Sequence, residues 1–256
     1  MKNTKTLWIA LAVFVGWLMV TIGGGAIRGG GSSSLNDMVS RGLAWQFVAA
    51  IGFLCLVTAI FGLREIGFRA PEWGFALRIL WLPGLMIVLF FSLALVLGLP
   101  GPVTTFWVAL NTLLVGISEE WMFRGIIFKG LTDRFSVWKA VWLSSLLFGG
   151  VHALNVFVTG ELQAGLIQAA AASFSGILFA AIRVRTQSLY PVILTHALWD
   201  FAVFMVISSG HKAAGTGAQS SVGLSILAPF LLAAPGFFYG LYLLRRVKPL
   251  DNGQPV

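Results

Sequence analysis

Apolar residues in this chain run in long unbroken stretches and do not alternate with polar ones. Eight stretches, at approximately 7–27, 43–62, 79–99, 104–130, 138–156, 163–182, 188–208 and 222–244, stand out between short polar segments. About 20 apolar residues at 1.5 Å rise each cross a hydrocarbon core of roughly 30 Å. The pattern predicts an all-α fold: a polytopic transmembrane helical bundle of eight spans. Two stretches are irregular, because 104–130 is too long for a simple span and 138–156 is interrupted by Gly149, Gly150 and His152. The small-residue run Ala169–Ser173 with Ser175 and Gly176 predicts close helix packing. The glycine and serine cluster 23–25 and 29–34 reads as a flexible exit from the first span, since no Gly-Lys-Ser/Thr follows to make a phosphate loop. No internal repeat and no soluble domain is visible, so 1–248 reads as one membrane domain followed by a short polar cytoplasmic tail, 249–256.

Composition strengthens the membrane reading. The chain is 58% hydrophobic and 10% charged, with a mean hydropathy of +0.90, against an apolar share of about 45–50% in soluble domains. Lys2 and Lys5 precede an apolar run longer than a cleaved signal carries, which predicts a retained first helix. The single cysteine, Cys55, permits no intrachain disulfide and reads as a small core residue of the second span.

The net charge of +8 suggests nucleic acid until the basic residues are sorted by loop. With the N-terminus inside, Lys2, Lys5, Arg64, Arg69, Arg78, Lys129, Arg134, Lys139, Arg183, Arg185, Arg245, Arg246 and Lys248 fall on the cytoplasmic side. Only Arg28, Arg41 and Lys212 fall opposite, with Arg124 inside the membrane. This asymmetry is the positive-inside pattern. It predicts both termini cytoplasmic, lipid bilayer as the partner of the basic loops, and no nucleic-acid binding. With no obvious eukaryotic targeting signal, the expected location is the bacterial inner membrane. His211 reads as a solvated loop residue.

Against this background Glu119, Glu120, Arg124, His152, His196 and Asp200 are conspicuous, because each lies in an apolar stretch. An ionisable group at mid-bilayer costs about 2.5–3.5 kcal/mol on insertion scales and is by default a functional-site hypothesis. Residues four apart share a helix face, so Glu120 faces Arg124 while Glu119 is turned away by about 100°. A buried Glu120–Arg124 pair would leave Glu119 free for chemistry. Phe148, His152 and Asn155 share a stripe, and His196 and Asp200 form an i,i+4 pair. At 1.5 Å per residue, Glu119, His152, His196 and Asp200 lie roughly 13–21 Å from the cytoplasmic ends of their helices, so three helices can bring them into one cavity.

A carboxylate in a confined cavity can take a proton from water and pass it to a leaving amine. Two imidazoles can orient that water, donate to an oxyanion or bind a metal. Peptide hydrolysis fits these parts, and a serine triad does not, because Ser118 lies in no Gly-x-Ser-x-Gly elbow. Two other classes use buried polar groups: a proton-coupled transporter and a non-catalytic immunity or scaffold membrane protein.

Three patterns carry a family resemblance: Glu119-Glu120-Trp-Met-Phe-Arg124, Phe148-Gly-Gly-Val-His152 and His196-Ala-Leu-Trp-Asp200, in that order. They resemble the Glu-Glu-x-x-x-Arg, Phe-x-x-x-His and His-x-x-x-Asn/Asp motifs of the CAAX-processing and bacteriocin-processing (CPBP or Abi) intramembrane proteases, which include the type II CAAX prenyl endopeptidases. The resemblance places a catalytic core at 104–208 and implies an endopeptidase acting on a peptide or protein at the membrane. It implies that Glu119 activates water with help from His152, that Arg124 braces Glu120, and that His196 with Asp200 stabilises the transition state. Asp200 stands where the prenyl-processing enzymes carry asparagine, and an ionised aspartate cannot donate to an oxyanion, so orienting His196 suits it better. Glu119, His152 and His196 can also make a zinc set of three ligands plus water, although no His-Glu-x-x-His is present, and a metal-independent glutamate mechanism explains the same residues.

Overall fold

Serine and glutamate caps, an N-terminal proline and left-handed turns delimit the helices of this chain. The computed structural model describes residues 4–29, 34–214 and 222–247. Helix α1 (Lys5–Leu18) continues through a π-helical turn, Met19–Gly23, into α2 (Gly24–Gly29). A short α3 (Leu35–Ser40) starts where Ser34 Oγ accepts the Asp37 amide at 3.0 Å. Then follow α4 (Trp45–Ile60), α5 (Trp73–Ile79) and α6 (Trp81–Leu97). Pro102 opens α7 (Pro102–Glu120), a position where its missing N–H costs nothing. Helix α7 runs on through a π-helix, Trp121–Ile127, into α8 (Phe128–Thr132). Ser136 caps α9 (Val137–Ala153), a single turn α10 (Val156–Thr159) follows, and α11 (Leu162–Thr186) stops at Gln187, whose φ is +57°. The described chain closes with α12 (Tyr190–Ala214) and α13 (Val222–Leu244). No strand occurs among the described residues.

All eight predicted stretches fall on helices. Four helical segments, Lys5–Arg28, Val137–Thr159, Leu162–Thr186 and Tyr190–Gly210, are long and apolar enough to cross a membrane, and the pair α5 and α6, bent by 63°, would add a fifth. Helix α4 and the stretch Ala228–Leu244 are apolar but shorter. The stretch expected at 79–99 is therefore broken near its start, at Leu80, where the backbone leaves helical geometry ahead of Pro83. The over-long stretch 104–130 is one rod from Pro102 to Thr132, extended by its π-helix.

The interruption expected at Gly149 and Gly150 does not occur: α9 runs through both. Gly149 is where α11 lies against α9, because a Cβ there would overlap Ser173 Oγ and the Ala169 carbonyl. One turn further along α11, a Cβ at Gly176 would come within 2.9 Å of Ser145 Cβ. The small-residue run thus packs as the sequence predicts. Cys55 is exposed, contrary to its reading as core, because Leu54 and Val57 occupy the inward face of α4. His211 lies within α12, not in a loop, and its side chain is outside the described residues. The glycine and serine positions 30–33 and the tail 249–256 also lie outside them.

The core is aromatic where α1, the π-helix and α9 meet. Trp17 and Phe123 rings cross at 5.5 Å and Phe123 and Phe148 at 5.1 Å, both edge to face. Such pairs contribute about 0.5–1.5 kcal/mol each beyond burial. Trp17 also donates its Nε1–H to Ser118 Oγ at 2.9 Å, which fixes α1 against α7 one residue before the paired carboxylates.

Candidate active site

Glu119 and Glu120 end α7, Arg124 lies in the π-helix, His152 in the last turn of α9, and His196 and Asp200 in the middle of α12. Six sequence-selected residues thereby meet where α7, α9 and α12 converge. The π-helix widens the backbone spiral directly after the carboxylates, a feature often found at functional sites and one that no residue type announces.

Glu120 is the hub. It is fully buried, and its Oε1 accepts from Arg124 Nη1 at 3.1 Å and lies 2.6 Å from His196 Nδ1. The expected brace between Glu120 and Arg124 is present, and the contact with the histidine adds a second task that spacing along one helix cannot reveal. Arg124, also fully buried, donates through Nη2 to the Gly176 carbonyl at 3.3 Å and places its guanidinium 4.1 Å from the Phe148 ring centre. A buried charge needs such compensation, and of the Arg124 donors only Nε is sealed without a partner among the described residues.

His196 turns its other nitrogen, Nε2, toward two carboxylates: Asp200 Oδ2 at 3.4 Å and Glu119 Oε2 at 3.8 Å. Phe179 stacks on the ring at 4.8 Å and 22°, and Phe148 meets it edge-on at 5.8 Å. The imidazole is thus held in one plane with Glu120 behind it and Glu119 and Asp200 in front. Glu119 retains 9% exposure, and its Oε2 makes no hydrogen bond among the described residues.

His152 Nδ1 lies 2.8 Å from the Phe148 carbonyl, one turn back along its own helix. That contact fixes a tautomer with the proton on Nδ1 and leaves Nε2 as a lone-pair acceptor. Its ring packs on Phe148 at 4.8 Å, and its electrostatic neighbours are His196, Asp200 and Arg124. No direct bond joins it to Glu119 among the described residues. Asn155, from the same stripe, is turned away and donates to Gln168.

Glu119, His152 and His196 are the expected zinc set, beside a metal-independent alternative. Among the described residues no three His, Cys, Asp or Glu side chains are gathered to hold a metal ion; Glu120 and the Phe148 carbonyl engage Nδ1 of His196 and His152 and leave Nε2 of each outside those contacts.

Helix α11 is the wall that the sequence reading missed as part of the site. It supplies the Gly176 carbonyl to Arg124, the Phe179 face to His196, and a bond from Arg183 Nε to the Arg124 carbonyl at 3.2 Å. Its small residues were the available signal, since close approach to α9 is what carries these groups to the centre.

No curated protein matches this chain. Residues 100–202 match the family model described as type II CAAX prenyl endopeptidase, Rce1-like. That segment contains all six clustered side chains, and over those residues the chain is similar to the type II CAAX prenyl endopeptidases.

Proposed function

We propose that this protein is an integral-membrane endopeptidase in which Glu119 activates water against a peptide bond of a membrane-associated protein or peptide. The observation that carries the reading is the asymmetry of the two carboxylates. Glu120 is fully buried with its Oε1 held by both Arg124 and His196 Nδ1, while Glu119 makes no hydrogen bond among the described residues and keeps 12% side-chain exposure beside His196 Nε2; an unpartnered Oε2 is common to both carboxylates. A base must be free to take a proton, and a bracing group must not be.

In the proposed reaction a water donates to Glu119 and to the free Nε2 of His152, and Glu119 removes its proton as oxygen attacks the carbonyl carbon. The carbonyl oxygen gains charge and accepts from Nε2–H of His196, which Glu120 holds from behind through Nδ1 and Asp200 orients from beside Nε2. The C–N bond then breaks as Glu119 returns the proton to the leaving amine. Protein groups carry every step. Glu120 and Arg124 act behind the reacting atoms by holding His196 and the end of α7.

The same reading takes all eight helical stretches as membrane crossings, with both termini on the side that holds thirteen of the basic residues, in a bacterial inner membrane. The catalytic core is 104–208 within a single domain.

The test compares membrane peptides by mass spectrometry in host cells expressing wild-type protein or Glu119→Ala at equal levels. A precursor that accumulates and a fragment that vanishes only in the variant support proteolysis. Matching profiles, with His152→Ala and His196→Ala also silent, would end it in favour of transport or scaffolding.

A further inference from the structure

Arg183 lies at the end of α11 and is only 7% exposed, yet no carboxylate pairs with it among the described residues. Arginine is rarely buried without a counter-charge, because the desolvation cost has no return. Its Nε donates to the Arg124 carbonyl at 3.2 Å. Beside it stands Arg69, a second cation that repels it, whose Nε donates to the Gln187 carbonyl at 2.8 Å. Both guanidinium groups are therefore tied by Nε to a backbone carbonyl, and the Nη atoms of both engage no acceptor among the described residues. The Arg183 Nη atoms are not among the sealed polar atoms and still reach the surface.

The fold fixes this pair in place. Gly67, at φ +106°, lets the chain pass directly over Arg183, where a Cβ would come within 2.7 Å of Nε. The Gly67 carbonyl accepts from Leu189 N at 2.8 Å and from Arg69 N at 2.8 Å, and Ser188 Oγ donates to the Arg69 carbonyl at 2.6 Å. Exposed Phe68 and Tyr190 flank the pair, their rings 6.0 Å apart, as aromatic residues do at headgroup level.

Two adjacent, preorganised guanidinium forks without an acid form a receptor for a tetrahedral oxyanion. We infer that Arg69 and Arg183 bind a phosphate group, carried by an anionic lipid headgroup or as the free ion. The inference goes beyond the peptidase reading and does not depend on it.

The test is native mass spectrometry of the purified full chain in detergent, titrated with phosphatidylglycerol, phosphatidylcholine or inorganic phosphate. Phosphatidylglycerol should bind saturably, at least ten-fold tighter than phosphatidylcholine. Arg69→Gln, at an exposed position, should weaken it at least ten-fold with helix content unchanged by circular dichroism. Arg183→Gln should do the same, with helix content checked by circular dichroism, while Arg78→Gln, an exposed basic residue elsewhere, should change nothing. Saturable inorganic phosphate with no lipid preference, abolished by Arg69→Gln, keeps the site and assigns it to the free ion. Absence of saturable binding by either probe, or binding unaltered in Arg69→Gln, overturns the inference.

Discussion

Replacing Arg124 by methionine keeps most of the stem's volume and removes the charge from a fully buried position. The change strips Glu120 of its 3.1 Å partner, frees the Gly176 carbonyl and removes the cation from the face of Phe148. Breaking one side of a buried pair costs about 3–5 kcal/mol, because the remaining charge stays desolvated. The lost cation–π contact adds on the order of 0.5–2 kcal/mol. His196 Nδ1, still 2.6 Å from Glu120, offsets part of this. The expected loss in unfolding free energy is therefore about 3–5 kcal/mol, measured by reversible unfolding in bicelles. The double variant Glu120→Leu/Arg124→Met should be less destabilised than the sum of the singles by more than about 1 kcal/mol, as coupled neighbours are. A single-variant cost under about 1 kcal/mol, or strict additivity, would refute Glu120 as the electrostatic hub.

Three further outcomes follow from the same geometry. Asp200→Asn keeps an oxygen facing His196 Nε2 and should retain cleavage within about ten-fold, whereas Asp200→Leu should lose about 10²–10³-fold, the range for losing a group that orients a transition-state donor; equal effects of both variants would contradict an orienting role. Gly149→Ala should destabilise by more than about 1 kcal/mol, because the added Cβ overlaps Ser173 and Ala169, while Gly150→Ala, with open space around it, should stabilise by about 0.5–1 kcal/mol through helix propensity. Trp17→Phe keeps the ring stack and loses the bond to Ser118 Oγ, with an expected cost of about 0.5–1.5 kcal/mol in the same unfolding measurement.

Length and polarity made the helices legible: each of the eight apolar stretches is a helix because nothing in it competes with backbone hydrogen bonding within the segment. The i,i+4 partnership of Glu120 with Arg124 was legible for the same reason, being a property of one helix. What lay beyond reading was contact between helices. Neither the bond of Glu120 to His196, 76 positions away, nor the stacking of Phe179 has a local signature. Gly149 misled because a glycine pair looks like a break in the chain, whereas its use is to admit a neighbouring helix at backbone distance. Cys55 misled because a small apolar residue on a membrane helix can face either way. Arg183 was read only as a basic residue at the end of a span, and its burial against the Arg124 carbonyl depends on the chain crossing at Gly67.

The central claim is that Glu119 acts on water while Glu120 does not. Once the cellular comparison has supplied a cleaved sequence, the corresponding peptide can be turned over by the purified chain in ¹⁸O-water, with the new C-terminus weighed by mass spectrometry. Wild-type protein should place one ¹⁸O in the new carboxylate under single-turnover conditions. Glu119→Gln, which preserves shape and should leave unfolding within about 1 kcal/mol of wild type, should cut more than about 10³-fold more slowly, as expected when general-base and proton-delivery roles are lost together. Cleavage by Glu119→Gln within ten-fold of the wild-type rate would contradict the account.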